Sequence, residues 1–388
     1  MKTKEIKKQL LKEIELLKNK RYGFINAGTP SFNRLFGRDS LIVSWQLLSL
    51  NPEIARDTLK ILAKYQGKKI VAAREETPGK ILHEYQIGKK QHPRGYFPFP
   101  YYGSVDSTPL FLIVFSFYYQ KVKDSNPSIA QNFLKKYWKN VLFALHWLFH
   151  FGDKDGDYFL EYKRQGKGGV FHQGWKDGFS NHLKIKPPVA IVEVQGYQYL
   201  ALIEIARLAR VFKDEKLEKS LKERAENLKR NFNKKFWLEK EKYFALALDN
   251  QKRKVKEITS NPGHLLFTGI LDKDKEKFIV KKLFSSELWT PFGIRTHSTR
   301  SKLFDPLSYH QGSVWPHDNW IIAQGLKKLG YKKEEQEIKK ALFRAYKKLG
   351  FIPELYAVVD NQITLKMKMI PCYPQAWASG SLLNFLLD

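Results

Sequence analysis

The 388-residue sequence has a single cysteine, Cys372, which excludes an internal disulfide and fits a reducing compartment. No run of 18 apolar residues occurs, so no membrane-spanning helix is expected. The first twenty residues, MKTKEIKKQLLKEIELLKNK, are charged throughout and lack the apolar stretch of a signal peptide. Together these absences make the cytoplasm the expected location. There is no HExxH, P-loop, GxSxG or GxGxxG pattern, so neither a metal nor a cofactor is expected. Acidic residues are outnumbered 39 to 68 by Lys and Arg, for a formal net charge of +29. Such an excess raises nucleic-acid binding as a reading. Against it, the lysines of 211–235 alternate with glutamates at helical spacing, as on a solvated face, and no zinc-finger, basic-zipper or RNA-recognition pattern occurs. No nucleic-acid or membrane partner is expected, and the oligomeric state leaves no mark in the sequence.

Apolar residues are abundant at 43 %, and aromatics reach 14 % with 9 Trp, 19 Tyr and 27 Phe. A sizeable core follows. The aromatics serve either that core or as flat platforms for the C–H faces of sugar rings. The dominant period is helical, with apolar residues at i, i+3, i+4 and i+7 predicting helices over 3–20, 38–49, 52–66, 105–122, 128–150, 189–212, 214–235, 260–271, 273–285, 312–329, 332–349 and 373–387. Strand-like alternation is short, as in 242–248 before Asp249-Asn250, and reads as small hairpins in loops. The connections alternate strictly between short and long. Short ones make antiparallel helix hairpins, so all the long loops gather at one end. Long ordered loops are uncommon unless functional. The expected fold is all-α, an (α/α)6 barrel with short β-hairpins in its loops, occupying residues 1–388 as one domain.

The unusual polar and aromatic residues concentrate in those long loops. Arg38 and Asp39 open the second helix after a glycine, where Asp39 caps the helix or grips sugar hydroxyls with Arg38. Glu84, Tyr102 and Asp106 follow, the last either a cap or a sugar ligand. In the run 172–177, Trp175 precedes Lys176 and Asp177. An indole beside a carboxylate offers a sugar platform and desolvates the acid, which raises its pKa as a general acid requires; the bland alternative is a surface aspartate paired with Lys176. Gln195 lies with Glu193 at the start of the sixth helix. His264 is either a packing histidine or a pocket residue. The run 309–318 is the densest, holding His310, Trp315 and Asp318. Glu354 follows a proline between apolar neighbours, as suits a rigid general base, and Trp377 closes the series. Two carboxylates from distant loops meeting over aromatic platforms is the general scheme of glycoside hydrolysis. Asp153-Lys154-Asp155-Gly156-Asp157 resembles a calcium loop but has Arg164 where the twelfth-position Glu belongs, so a polar turn is expected.

In order along the chain, FGRD, GKILHE, YYGSVDSTPLF, DGDYFLEY, QGWKD, VEVQGYQYLAL, SNPGHLLFTGI, YHQGSVWPHDN, PELY and PQAWA resemble the bacterial amylo-α-1,6-glucosidase family, the glycogen-debranching glucosidases, from about residue 24 to the end. The resemblance implies an (α/α)6 barrel that hydrolyses with inversion, Asp177 as general acid and Glu354 as general base. It places Arg38, Asp39, Asp106, Trp175, His264, His310, Trp315, Asp318 and Trp377 around the glucose. It also implies an N-terminal β-rich domain, which is not expected in this chain, and a Gly-rich turn after PELY, where this sequence reads AVVDNQ. The function it implies is hydrolysis of the α-1,6 branch of limit-dextrin-like oligosaccharides. Related barrels act on small glucosides such as glucosylglycerate or mannosylglycerate, which is the second reading. The third is a catalytically inactive carbohydrate-binding barrel.

Overall fold

The computed structural model describes residues 3–387; positions 1, 2 and 388 of the expected domain lie outside the described residues. Helices α1 (Thr3–Leu17), α2 (Gly37–Gln46), α3 (Pro52–Lys64), α4 (Ser107–Lys123), α5 (Pro127–Trp147), α6 (Val192–Val211), α7 (Glu215–Lys235), α8 (Lys273–Leu283), α9 (Pro316–Leu329), α10 (Lys332–Leu349) and α11 (Ala376–Phe385) match eleven of the twelve predicted segments. The twelfth, predicted over 260–271, is a 3-10 segment, Asn261–Phe267. Gly263 disfavours α propagation there. The narrower winding also lets it lie tightly on α9, where a Cβ added to Gly325 would stand 2.5 Å from that of Leu266.

Two concentric rings result. α2, α4, α6, the 3-10 segment, α9 and α11 touch in that order, and α11 closes on α2. α1, α3, α5, α7, α8 and α10 pack outside them. This is the (α/α)6 barrel that the helix pattern predicts. Composition decides which ring a helix joins. α6 (VEVQGYQYLALIEIARLARV) buries 16 of its 20 residues, because it is apolar on nearly every face. α7 buries five of 21, Leu221, Ala225, Leu228, Phe232 and Asn233, a single stripe on an otherwise charged helix.

Every inner segment is entered from a long loop, so all six N-termini face the same end. Their dipoles turn positive ends toward it, a setting that favours carboxylates. Short antiparallel strand pairs brace the loops: Leu35–Phe36 with Glu84–Tyr85, Trp237–Leu238 with Tyr243–Phe244, Trp289–Thr290 with Gly293–Ile294, and Ala357–Val359 with Gln362–Thr364. Ala247–Leu248 lies between Ala190–Ile191 and Lys254–Val255. The hairpin after Glu354 turns at Asp360 and Asn361, both left-handed (φ 47° and 58°), as a two-residue primed turn requires. Here Asp and Asn do what glycines do elsewhere.

The acidic run 153–157 is paired with cations from elsewhere in the chain. The Lys252 ammonium lies 2.9 Å from Asp155, 2.7 Å from Asp157 and 2.6 Å from Glu161, and Arg224 lies 2.7 Å from Asp153. Among the described residues, no helix is long and apolar enough to cross a membrane.

Candidate active site

At the loop end, a cleft with about 330 Å³ of empty space is lined by Phe32, Phe36, Arg38, Asp39, Trp175, Asp177, Tyr309, His310, Trp315, Glu354 and Trp377. Eight of the residues singled out from sequence meet here: Arg38, Asp39, Trp175, Asp177, His310, Trp315, Glu354 and Trp377. A neighbouring cavity of about 420 Å³ shares His310 with it and is lined by Lys176, Glu193 and Asn261 among others.

Asp177 is held by Arg38 and His83. Arg38 donates to its Oδ2 at 2.6 Å, and His83 Nε2 is 3.1 Å from the same oxygen. Arg38 also donates to both oxygens of fully buried Asp106, at 3.1 and 2.8 Å. Burial pushes the Asp177 carboxyl up, but the His83 hydrogen bond and the charge of Arg38 outweigh it and hold the group well below the usual carboxylate range. The expectation that Trp175 would raise the Asp177 pKa by desolvation is therefore corrected: the indole lies in the cleft, but ionic partners decide the sign. Asp106 does occupy the position before α4, yet its side chain does not cap the helix; Ser104 Oγ accepts from the Ser107 N–H at 3.1 Å instead.

Glu354 is held by neutral donors. Tyr309 O–H donates to Oε1 at 2.6 Å, the Cys372 N–H to Oε2 at 3.0 Å, and the Gln375 amide to Oε1 at 3.4 Å. Its backbone N–H donates in turn to the Cys372 carbonyl at 3.0 Å. Burial dominates and lifts the carboxyl to about 7, against the lowering by those donors, with the Asp177 charge adding to the rise. Asp39 is likewise lifted by burial, to about 7, against the pull of Arg38. His310 is pushed down by burial to about 3, so it is neutral at ordinary pH.

The aromatic groups form one cluster. Trp175 meets Trp315 edge-on at 5.7 Å and His317 at 4.9 Å, while Trp377 stacks on His317 at 3.7 Å. Below them His264 stacks against Trp175 at 5.9 Å, held by Asp318 at 2.7 Å and the Tyr197 hydroxyl at 2.6 Å. His264 and Asp318 are thus a support beneath the cleft and do not line it. Lys176 turns away from Asp177 and donates to the Thr296 carbonyl at 2.6 Å. Three further candidates lie elsewhere. Glu84 pairs with Arg34, Tyr102 donates to the Tyr65 carbonyl, and Gln195 bonds the backbone of Leu160 and Ile191. Each satisfies loop or backbone polar groups, a role that residue type alone does not separate from ligand binding. His83, Tyr309, Gln375 and His317 belong to the same sequence runs, but residue type alone gives them no individual role there; the contacts above do.

The family model for the "mannosylglycerate hydrolase MGH1-like glycoside hydrolase domain" matches residues 36–359. The chain belongs to this family. Two curated members of Selaginella moellendorffii, mannosylglycerate hydrolases MGH1 and MGH2, are each 28 % identical over 85 residues, covering 22 % of this chain and 17 % of theirs. The fold is similar to that of the GH63 mannosylglycerate hydrolase from Thermus thermophilus solved with Tris and D-glycerate, with a TM-score of 0.76 at 14 % identity over 98 % of this chain and 99 % of that one. The same enzyme with glucose gives 0.75 at 15 % identity over the same shares. The motif order resembles debranching glucosidases only at the coarser level of a helical-barrel glycoside hydrolase; the family that matches is named for a small glycoside.

Proposed function

We propose that the protein hydrolyses the α-glycosidic bond of a small glycoside of the mannosylglycerate or glucosylglycerate kind, with inversion at the anomeric carbon. The observation that carries this reading is that Asp177 and Glu354, from loops far apart in the chain, line one small cleft walled by three tryptophans. Two carboxylates and aromatic platforms are what an oxocarbenium-like displacement by water needs. Buried polar atoms without a protein partner crowd this end of the barrel, including Trp175 Nε1, Trp377 Nε1, both nitrogens of His310 and of His317, and the carboxyl oxygens of Glu193. Buried polar groups are rarely left unpaired, and a polyhydroxylated ring supplies complementary partners. The modest size of the cleft and the family match favour a small glycoside over a branched glucan.

Asp177 protonates the leaving oxygen and Glu354 removes a proton from the attacking water. This division needs the proton on Asp177, whereas the free protein favours it on Glu354. The productive form is then the minor arrangement of one shared proton, and the pH profile reports the pair and not either residue. The pKa order itself favours the exchanged assignment, with Glu354 as acid and Asp177 as base, which is the second reading.

A substrate panel tests the proposal. Mannosylglycerate and glucosylglycerate should be cleaved with kcat/KM at least about a hundredfold above panose, isomaltose and limit dextrin, a discrimination within reach of a site that pairs specific polar groups. A preference for limit dextrin overturns the small-glycoside reading.

A further inference from the structure

A broad cavity, open to solvent, lies on the outer face and shares no lining residue with the cleft. Its walls come from the end of α1 and the turn after it, from α3 and the residues beyond, and from α5. Seven cations line it, Lys18, Lys20, Arg21, Lys60, Lys64, Lys68 and Lys139, against one carboxylate, Asp57. That carboxylate is already taken by Arg56 at 2.9 Å and Lys60 at 3.3 Å. Among the described residues, the remaining six cations have no ion-pair partner.

Lysine is common on this chain, so contrast matters more than number. On α7, Lys222 pairs with Glu218 at 2.5 Å and Lys219 with Glu223 at 3.9 Å; on α10, Lys340 pairs with Glu337 at 3.0 Å. There each lysine has a glutamate three or four residues away, as on an ordinary solvated helix face. Around the cavity the cations converge from three separate elements, and only Lys60 has such a partner, Asp57. Lys18 and Lys64 sit at the ends of α1 and α3, where cations offset the helix dipole. Lys20, Arg21, Lys68 and Lys139 have no such role. Aromatic rings accompany them: the Arg21 guanidinium is 5.2 Å and the Lys64 ammonium 5.9 Å from the Tyr22 ring centre, and half-buried Tyr137 and Phe143 line the opposite side.

We propose that this cavity binds a small molecule bearing several phosphate groups, either a nucleoside triphosphate or an inorganic polyphosphate. Like charges gathered in a concavity repel one another, and a compact polyanion converts that repulsion into charge-assisted hydrogen bonds. A small ligand fits better than a nucleic-acid strand, because the cations surround one hollow and do not run as a stripe along which a backbone is tracked.

Calorimetric titration of the full chain at low salt, with tripolyphosphate, ATP and a single-stranded oligonucleotide, tests this. Tripolyphosphate should bind at one site per chain. The double variants Lys20→Glu/Arg21→Glu and Lys64→Glu/Lys139→Glu should each weaken it at least ~10-fold, because each reverses two charges at the cavity. All four side chains are exposed, so the fold should survive, which thermal melting checks. Lys219→Glu/Lys340→Glu makes the same change in net charge on α7 and α10 and should alter binding less than ~2-fold, because those charges lie outside the cavity. ATP binding as well as or better than tripolyphosphate supports the proposal, and tighter ATP binding adds a base stacked on the rings. Equal weakening in the control variant, no binding at millimolar ligand, or an oligonucleotide that outcompetes both small ligands at this cavity would overturn it.

Discussion

On one side of the cleft Asp177 meets a guanidinium and an imidazole; on the other Glu354 meets a phenol, an amide and a backbone N–H. Both are acidic groups in the same low-dielectric hollow, yet one is held ionised and the other lifted to about 7. Burial alone raises both. The difference comes from whether the compensating partners carry full charge or only dipoles, since only the former repay the desolvation of a carboxylate. An acid–base pair needs two carboxyl groups whose proton affinities differ, and the neighbours create that difference.

The comparison is broken most severely by removing either carboxylate. Asp177→Asn and Glu354→Gln should each lower kcat about 10²–10⁴-fold with the fold intact, the range that one general acid or base supplies. Near-wild-type turnover in either variant refutes the assignment. Next comes the cation between Asp106 and Asp177. Arg38→Met strands two carboxylates and should cost about 3 kcal/mol or more of stability in urea unfolding, because breaking a buried pair leaves uncompensated charge.

The Glu354 side makes a pH prediction of definite sign. A carboxyl lifted in the folded state stabilises the fold at low pH, and that contribution is lost as pH rises from the unfolded value near 4.5 through about 7. Wild-type stability should therefore fall relative to Glu354→Gln across that window, by roughly 3 kcal/mol. Urea midpoints of the two proteins at several pH values measure it; parallel curves contradict the assigned burial. The smallest effect is expected from Tyr309→Phe. Loss of the hydroxyl removes a hydrogen bond to the ionised Glu354, so the basic limb of the pH–rate profile should move upward and kcat fall about tenfold. An unmoved limb would make Tyr309 a packing residue only.

Much of this was legible in the chain because it is periodic or local. The all-round apolar α6 and the one-stripe α7 announce inner and outer rings, and the alternation of loop lengths places the site at one end. The runs 172–177 and 309–318 supplied five of the eleven residues that line the cleft. What the chain does not display is closure across it. The pKa of Asp177 is set by Arg38 and His83, 139 and 94 residues away, and the clamp on Glu354 by Tyr309, 45 residues away. Glu84 and Gln195 look like ligands by residue type, yet in the structure they bond Arg34 and the backbone of Leu160 and Ile191, partners set by tertiary contact. The 3-10 segment at Asn261–Phe267 departs from its predicted helix because packing on α9 adds to a local weakness that periodicity does not register.

The division of labour between the two carboxylates is tested most directly with an α-glycosyl fluoride, whose leaving group needs no proton. Asp177→Asn should hydrolyse the fluoride of the accepted sugar at a rate approaching wild type while failing on the natural glycoside, and Glu354→Gln should fail on both. The opposite pattern, with Glu354→Gln active on the fluoride and Asp177→Asn inert, would contradict the account and exchange the two roles.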